Sequence, residues 1–282
     1  MAAAVMWLVL CGAGDPAAHW AAAGLRERGL DPVEVVDAGT LTRAVRSAHR
    51  IEEKGRGGRQ DRADHARTDG EAPGHERASF EVALPGGRGL DSDAVYGVLN
   101  RLTHAPVDHL RFATPADTAY AMAEWDALVL SWLQCLAPVT VNRPSALGLS
   151  GTFRSPAEWK VLAAAAGLEV SPLRLTDDIT HEPPTDREPA RTLLVLGDDV
   201  YGVPGVDGGH RAGALDGLSS ASLRLARSAG ADLLGIHLEP DAHAQHFARF
   251  AGATLLPDLR IAGAPMLDGL HAYLTRLPAR PK

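Results

Sequence analysis

The stretch Val5-Met6-Trp7-Leu8-Val9-Leu10-Cys11-Gly12-Ala13-Gly14-Asp15-Pro16 decides the fold of this chain. Its first seven residues form a continuous apolar run, which is typical of a strand buried on both faces. Asp15 then supplies a helix N-cap and Pro16 a proline at the first helical position, so the pattern predicts a helix from about residue 16 to 28. A second apolar strand follows at 32–36, and the β-α-β order predicts a parallel sheet with a right-handed crossover.

Composition narrows the class of protein. The chain has 282 residues, 45% of them hydrophobic and 22% charged, which is ordinary for a globular protein with a sizeable core. A formal charge of −7 argues against broad binding to nucleic acid or to anionic membranes. Two cysteines, Cys11 and Cys135, cannot form a disulfide framework and fit a reducing cytoplasm. The apolar start lacks a basic flank and is shorter than the roughly 20 residues of a membrane span.

Two domains are predicted, at 1–145 and 146–282, and the first carries an insertion. Between residues 46 and 77 the sequence turns to Arg, Asp, Glu, Gly and His, and a segment of this composition is expected to be disordered. A β-hairpin is predicted around the turn Pro85-Gly86-Gly87-Arg88, and an amphipathic helix at 116–136.

The second domain follows with a helix at 157–166 and a hairpin whose turn is Gly197-Asp198-Asp199. A helix at 219–229 and a strand at 232–238 come next, and a short helical turn is predicted at 242–251. A terminal helix is predicted at 266–276.

Two apolar segments run directly into Asn-Arg pairs, Asn100-Arg101 and Asn142-Arg143. The carboxyl ends of strands in an open α/β sheet face the ligand crevice, so both guanidinium groups are expected to bind one anionic ligand, a carboxylate or a phosphate. The asparagines would orient the arginines or the ligand, or else form turns. Arg154, in a loop after the same edge, is a candidate third donor.

A cluster of possible metal ligands, His237, Glu239, Asp241, His243 and His246, lies near the end of the chain. Four such groups could hold zinc. A polar strand end that leads into a solvated turn is the commoner outcome for this pattern, and His237 alone is also a candidate for a catalytic role.

The order of these elements resembles that of the ATP-grasp ligases, in particular those that join carboxylates to amines on peptides or amino acids. The resemblance rests on Pro138-Val-Thr-Val-Asn142, Gly167-Leu-Glu-Val170, Leu194-Val-Leu-Gly197-Asp-Asp-Val200, Gly230-Ala-Asp-Leu-Leu-Gly235 and Pro257-Asp258-Leu259. It implies an α/β fold: an N-terminal parallel-sheet domain, pre-ATP-grasp-like, followed by a reduced ATP-grasp-like α+β domain.

The resemblance also implies ATP and Mg²⁺ as cofactors, and the sequence departs from it where they would bind. Only 17 residues, 174–190, stand where the family has a central lobe with a phosphate-binding lysine, and none is lysine. The family's Glu-x-Asn-Pro metal strand corresponds to Ala253-Thr-Leu-Leu-Pro257-Asp258. Asp258 and Glu239 remain the candidate metal ligands in this sequence.

Three functions remain open. The first is a truncated ATP-dependent carboxylate-amine ligase of a peptide or amino-acid modification pathway, with His237 and Arg154 as catalytic candidates and Asn100, Arg101, Asn142 and Arg143 on the substrate. The second is a non-catalytic protein that binds a small acid or precursor peptide beside a partner enzyme, as a homo-oligomer. The third is a Rossmann-like nucleotide-dependent enzyme that uses Gly12-Ala13-Gly14.

Overall fold

The computed structural model describes residues 6–52, 77–104, 114–171, 191–202, 212–240 and 248–278. Its first half contains β1 (Met6–Cys11), α1 (Pro16–Glu27), β2 (Val33–Asp37), α2 (Ala38–Thr42), β3 (Arg46–Glu52), β4 (Arg77–Ala83), β5 (Gly89–Asp91), β6 (Val95–Arg101), α3 (Pro115–Leu136) and β7 (Thr140–Val141). Its second half contains α4 (Pro156–Ala165), β8 (Arg191–Leu196), β9 (Asp199–Gly202), α5 (Ala212–Ala229), β10 (Leu233–Pro240), β11 (Ala248–Thr254) and α6 (Gly263–Arg276).

The predicted β-α-β opening is confirmed. Strands β2, β1, β6 and β7 form one sheet in that order, with every pair parallel. Asp15 caps α1 because its Oδ1 accepts hydrogen bonds from the amides of Ala17 and Ala18, at 3.0 and 3.1 Å. Gly29 follows the helix with a φ of 89°, a conformation in which glycine carries no steric penalty.

A second, antiparallel sheet of β3, β4 and β5 corrects the prediction that disorder begins at residue 46. Residues 46–52 form a strand that pairs with β4 from Arg46 opposite Ala83 to Glu52 opposite Arg77. The polar composition of β3 concealed this, because the apolar residues that anchor the pair, Phe80 and Val82, belong to β4 and pack on α3. The rest of the predicted insertion, 53–76, lies outside the described residues.

The third sheet has the order β11-β10-β8-β9 and is antiparallel throughout. The predicted hairpin is confirmed, with Gly197 at a φ of 59° in its turn. The helical turn expected at 242–251 is wrong over 248–251, which belong to β11; residues 241–247 lie outside the described part. Phe250 is fully buried opposite Leu238, and this cross-strand burial outweighs the weak helical pattern.

One hydrophobic cluster spans the predicted domain boundary. It combines Val9, Leu99 and Val141 of the parallel sheet with Leu194 and Leu233 of the third sheet. Helices α1 and α6 contribute to the same cluster, and α6 contacts strands of both sheets. The division at residue 145 stays a prediction, but the two halves share buried apolar surface. Among the helices of the described part, none has the length and apolar character to cross a bilayer.

Asn142 joins the two sheets through hydrogen bonds. It is 1% exposed and has a φ of 56°, in the left-handed region that asparagine tolerates better than most residues. Its Nδ2 donates to the carbonyl oxygens of Leu233 (2.8 Å) and Leu255 (3.1 Å), and its Oδ1 accepts from the Leu233 amide (2.8 Å). One side chain therefore satisfies both backbone groups of Leu233 in the third sheet and the carbonyl of Leu255, just after β11.

Replacing Asn142 tests this link. We expect Asn142→Ala to lower the free energy of unfolding by about 3 kcal/mol or more, since three buried polar groups lose their partner. Asn142→Gly should be less costly by about 1 kcal/mol, because glycine accepts the positive φ without strain. Urea unfolding monitored by circular dichroism measures both.

Gln134→Ala is the matched control, since it removes a single hydrogen bond to the nearby Pro144 carbonyl. Its cost should stay near 1 kcal/mol or below. An Asn142→Ala protein as stable as the Gln134→Ala protein would show that the link is dispensable.

Candidate functional site

Arg101 lies at the end of β6, and its guanidinium is hydrogen-bonded to other groups of the protein. Its Nε and Nη2 donate to the two carboxylate oxygens of Asp15, at 2.7 and 3.4 Å, and its Nη1 donates to the Pro257 carbonyl at 2.9 Å. The Arg101 side chain is 5% exposed and that of Asp15 is 16% exposed. The geometry therefore supports a structural ion pair that ties the α1 N-terminus to the segment after β11, and it does not support the expected ligand contact.

The surroundings of this ion pair shift two pKa values. Burial alone would raise the pKa of Asp15, but the hydrogen bond and charge of Arg101 and the amides of Ala18 and Ala17 outweigh it, so the pKa is lowered. Burial, with the charges of Asp15 and Asp37, raises the pKa of Cys11 to about 11. The Cys11 thiol is therefore protonated at neutral pH and is a poor nucleophile.

Asn100 and Asn142 act on neighbouring backbone. The Asn100 amide nitrogen donates to the Leu149 carbonyl at 2.7 Å, and its oxygen accepts from the Leu102 amide at 3.2 Å. Asn100 is 1% exposed, as is Asn142. Both asparagines thus hold loops and strand ends in place rather than reaching an open surface.

The loop held by Asn100 forms one wall of a groove, a cavity of about 600 Å³. The groove lies just beyond the carboxyl end of β6, between the loop, α4 and the end of β11 with the residues after it. Ligands of open α/β sheets bind at this edge. Its described lining is Thr103, Gly148, Leu149, Ser150, Gly151, Thr152, Phe153, Arg154, Pro156, Trp159, Ala253, Thr254, Leu255 and Leu256. Arg154 is the one charged residue among these.

Arg154 lies on an aromatic surface within this groove. Its guanidinium carbon is 5.3 Å from the ring centre of Trp159, and its Nη1 donates to the Thr152 carbonyl at 3.1 Å. Beside it, Phe153 is 74% exposed, which is unusual for a large apolar side chain. The groove therefore combines an apolar floor, an exposed aromatic ring and a single cation.

Arg143 is exposed and lines a different cavity, with Asp198, Arg227, Asp232 and Tyr273. The expected convergence of arginines is therefore not found: Arg101 is in an internal ion pair, Arg154 is in the groove, and Arg143 is in the second cavity. The sequence pattern located both strand ends correctly but contained no information on which acid or cavity each side chain meets.

The two predicted metal ligands lie apart. Glu239 pairs in register with Arg249, whereas Asp258 follows Pro257, which packs against Gly235 at the other end of β10. Glu239 is four positions along the strand from Gly235, a distance of about 13 Å. The described residues contain no group of three or more His, Cys, Asp or Glu side chains able to hold a metal ion.

Asp258 is moreover engaged by Arg260, whose Nε and Nη2 donate to its two carboxylate oxygens at 2.8 and 2.7 Å. This hydrogen bonding lowers the pKa of Asp258, despite partial burial. The carboxylate also accepts from the Arg260 amide and so caps the 3₁₀ turn Leu259–Ala262.

His237 lies on β10, opposite Gly252, with its Nδ1 3.2 Å from the Thr192 hydroxyl. Burial lowers the pKa of His237, so the imidazole is neutral at neutral pH. A catalytic role of His237 stays a prediction. Asp241, His243 and His246, which would complete the alternative zinc cluster, lie outside the described residues.

The described residues do not fit Mg²⁺. The resemblance assigns the metal strand to Thr254, Leu255 and Leu256, which line the groove with one hydroxyl and two alkyl side chains. Mg²⁺ requires several oxygen ligands and usually carboxylates. Lys160, the lysine within the described part, donates to the Ser171 hydroxyl at 3.1 Å.

Structural comparison identifies the fold. The chain matches macrocyclase MdnC of Microcystis aeruginosa MRC bound with precursor peptide MdnA (TM-score 0.59, 9% identity, 96% of this chain and 100% of that chain). It also matches the ATP-grasp ligase PsnB complexed with minimal precursor, Mg and ADP (0.59, 15%, 96% and 98%). A third match is a Chryseobacterium gregarium RiPP-associated ATP-grasp ligase in complex with ADP and a leader and core peptide (0.53, 10%, 99% and 99%).

The chain thus has the mixed α/β fold of ATP-grasp ligases, as predicted. At these identities the likeness establishes the fold alone. No protein-family model matches the sequence, and no curated protein matches it.

Sequence reasoning missed Phe153, Trp159 and the 253–256 segment as groove residues. Phe153 had a usable signal, since it precedes the candidate Arg154 in a loop, and loops on a rigid scaffold often carry binding residues. Trp159 had none, because tryptophan on an amphipathic helix is more often part of the core.

Replacing Asp15 by Asn tests the buried ion pair. Asparagine retains the N-cap, so the variant removes chiefly the charge, and we expect a loss of about 3 kcal/mol at pH 7. The lowered pKa means that this contribution is present above the unfolded value of about 3.9 and is lost as the pH falls through the folded value. The difference between the unfolding free energies of the two proteins should therefore begin to shrink below about pH 4 and be lost only below the folded pKa of Asp15.

Asp258→Asn is the matched control, since the Asp258–Arg260 pair is exposed and local. It should cost at most about 1 kcal/mol. Equal losses in the two variants would contradict a buried, stabilising Asp15–Arg101 pair.

Proposed function

We propose that this chain binds a peptide in the groove between the 148–156 loop, α4 and the end of β11, and acts as an ATP-grasp-fold partner protein in a peptide or amino-acid modification pathway. The observation that carries the proposal is the lining of the groove: apolar side chains, an exposed Phe153 and a single cation, Arg154. An apolar peptide segment with an anionic group, a carboxylate or a phosphate, complements this surface.

The comparisons support a peptide as the ligand class. MdnC, PsnB and the Chryseobacterium ligase were each solved with a precursor or a leader and core peptide. The groove volume of about 600 Å³ is within the usual range for ligand pockets. Covering Phe153 on binding would contribute about 1.5–3 kcal/mol, an amount large enough to make this residue an anchor.

A partner protein is favoured over an active ligase because the side chains expected to bind Mg²⁺ and the nucleotide phosphates are missing from the positions that the resemblance assigns to them. PsnB was solved with Mg and ADP, but the positions of the metal strand here are Thr254, Leu255 and Leu256. In addition, 174–190 is short for a central nucleotide-binding lobe and holds no lysine. A reduced lobe, a homo-oligomeric state and a cytoplasmic location stay predictions.

The test uses fluorescein-labelled peptides synthesised from the short reading frames beside the gene, with binding followed by fluorescence anisotropy. One of them should bind more tightly than its scrambled version. Phe153→Ala and Arg154→Ala should each weaken binding about 10-fold or more, because an anchor ring or a charge-assisted hydrogen bond is lost. Val161→Ala, a 62% exposed position of α4 outside the groove lining, should leave binding unchanged.

Calorimetric titration with Mg²⁺ and ATP tests the partner role separately, and we expect no binding. Micromolar nucleotide binding would contradict that role and favour a ligase. Peptide binding that persists in both groove variants, or no binding of any peptide, would contradict the groove as the site.

A further inference from the structure

A second cavity, of about 420 Å³, lies beside the peptide groove. It is formed where the end of β7, the β8–β9 turn, the end of α5 and helix α6 meet. Its lining is Arg143, Gly197, Asp198, Arg227, Gly230, Ala231, Asp232 and Tyr273. Asn142 separates the two sites, since it bonds to Leu255 in the groove wall while Arg143 follows in the cavity wall.

Arg143 is the unengaged cation of this cavity. Among the described residues, its guanidinium has no hydrogen bond and no ion pair, although five N–H donors are present. The other arginine, Arg227, is already paired with Asp198 at 2.8 Å. The cavity wall therefore contains one ion pair, Arg227–Asp198, and one guanidinium, that of Arg143, that can bind a ligand.

Asp232 is the available anion, and it is held in place. One of its oxygens accepts from the Asn142 amide at 3.3 Å. Burial and the neighbouring Asp232 carboxylate raise the pKa of Tyr273, which lines the same cavity. Tyr273 fits beneath the β8–β9 turn because residue 197 is glycine: a Cβ there would lie 2.8 Å from the tyrosine ring. The Asn142 amide uses one acceptor site of Asp232, and the carboxylate, which lines the cavity, has others.

Arg143 and Asp232 line the same cavity without pairing with each other. We propose that this cavity binds a free α-amino acid, with its carboxylate on the guanidinium of Arg143 and its ammonium group on the carboxylate of Asp232. A zwitterion neutralises both the Arg143 guanidinium and the Asp232 carboxylate, whereas a simple anion bound to Arg143 would be repelled by the Asp232 carboxylate. The cavity volume leaves room for a side chain.

Thermal unfolding of the full chain with each of the twenty L-amino acids tests this inference. A binding amino acid should raise Tm by about 5 °C at a concentration of about 100 times Kd. Its N-acetyl and C-amide derivatives should each lose the shift, because each lacks one charge. Acetate and inorganic phosphate should give no comparable shift.

Arg143→Ala should abolish the shift, and because Arg143 is exposed and unpaired the variant should fold as the parent does. Arg50→Ala, at an exposed arginine on β3 outside the cavity, is the control and should retain the shift. No shift with any amino acid, a shift that Arg143→Ala retains, or equal binding of phosphate would overturn the assignment. None of these outcomes tests the proposed peptide groove, because that proposal is tested with Phe153→Ala and Arg154→Ala and with peptides as ligands.

Discussion

The structure depends on Asn142, the residue through which the parallel sheet is hydrogen-bonded to the third sheet. Its side chain imitates a strand partner toward Leu233, donating to the carbonyl and accepting from the amide, and it also reaches Leu255. The positive φ of Asn142 makes this possible, because it turns the chain at the end of β7 so that the side chain points across the junction. Glycine would adopt the same backbone but supply no amide group.

Arg101 adds an ionic connection to the same junction. Its guanidinium joins Asp15, at the α1 N-terminus, to Pro257, after β11. These two partners are 86 and 156 positions away from Arg101 in the sequence. Together with the shared apolar cluster, these contacts fix the walls of both candidate sites. The groove beside Phe153 and the cavity beside Arg143 lie on either side of Asn142.

Much of the fold is predictable from local chemistry. Asp15-Pro16, the glycines of the hairpin turns and the apolar periodicity of the helices lead to the correct elements, since each acts within a few residues. Strands β3 and β11 are not predictable in this way, because β3 is stabilised by pairing with β4 and β11 by the burial of Phe250 against β10. Their own sequences carry only part of the information.

The site shows the same division. Asn-Arg pairs at strand ends were recognisable, and Arg143 and Arg154 do line cavities. The partner of Arg101 was not recognisable, because Asp15 also reads as an ordinary helix cap and serves as one. The residue type at a strand end indicates which interactions its side chain can make. Tertiary contacts decide whether that side chain binds another group of the protein or remains free to bind a ligand.

Native-state hydrogen exchange of the Leu233 amide tests the central claim most directly, because this amide donates to Asn142 across the junction. If the junction makes the two halves one cooperative unit, Leu233 should exchange only through global unfolding, with the same opening free energy as the innermost amides of β1 and β10. Exchange of Leu233 at a much lower opening free energy, while β1 and β10 remain protected, would contradict the account.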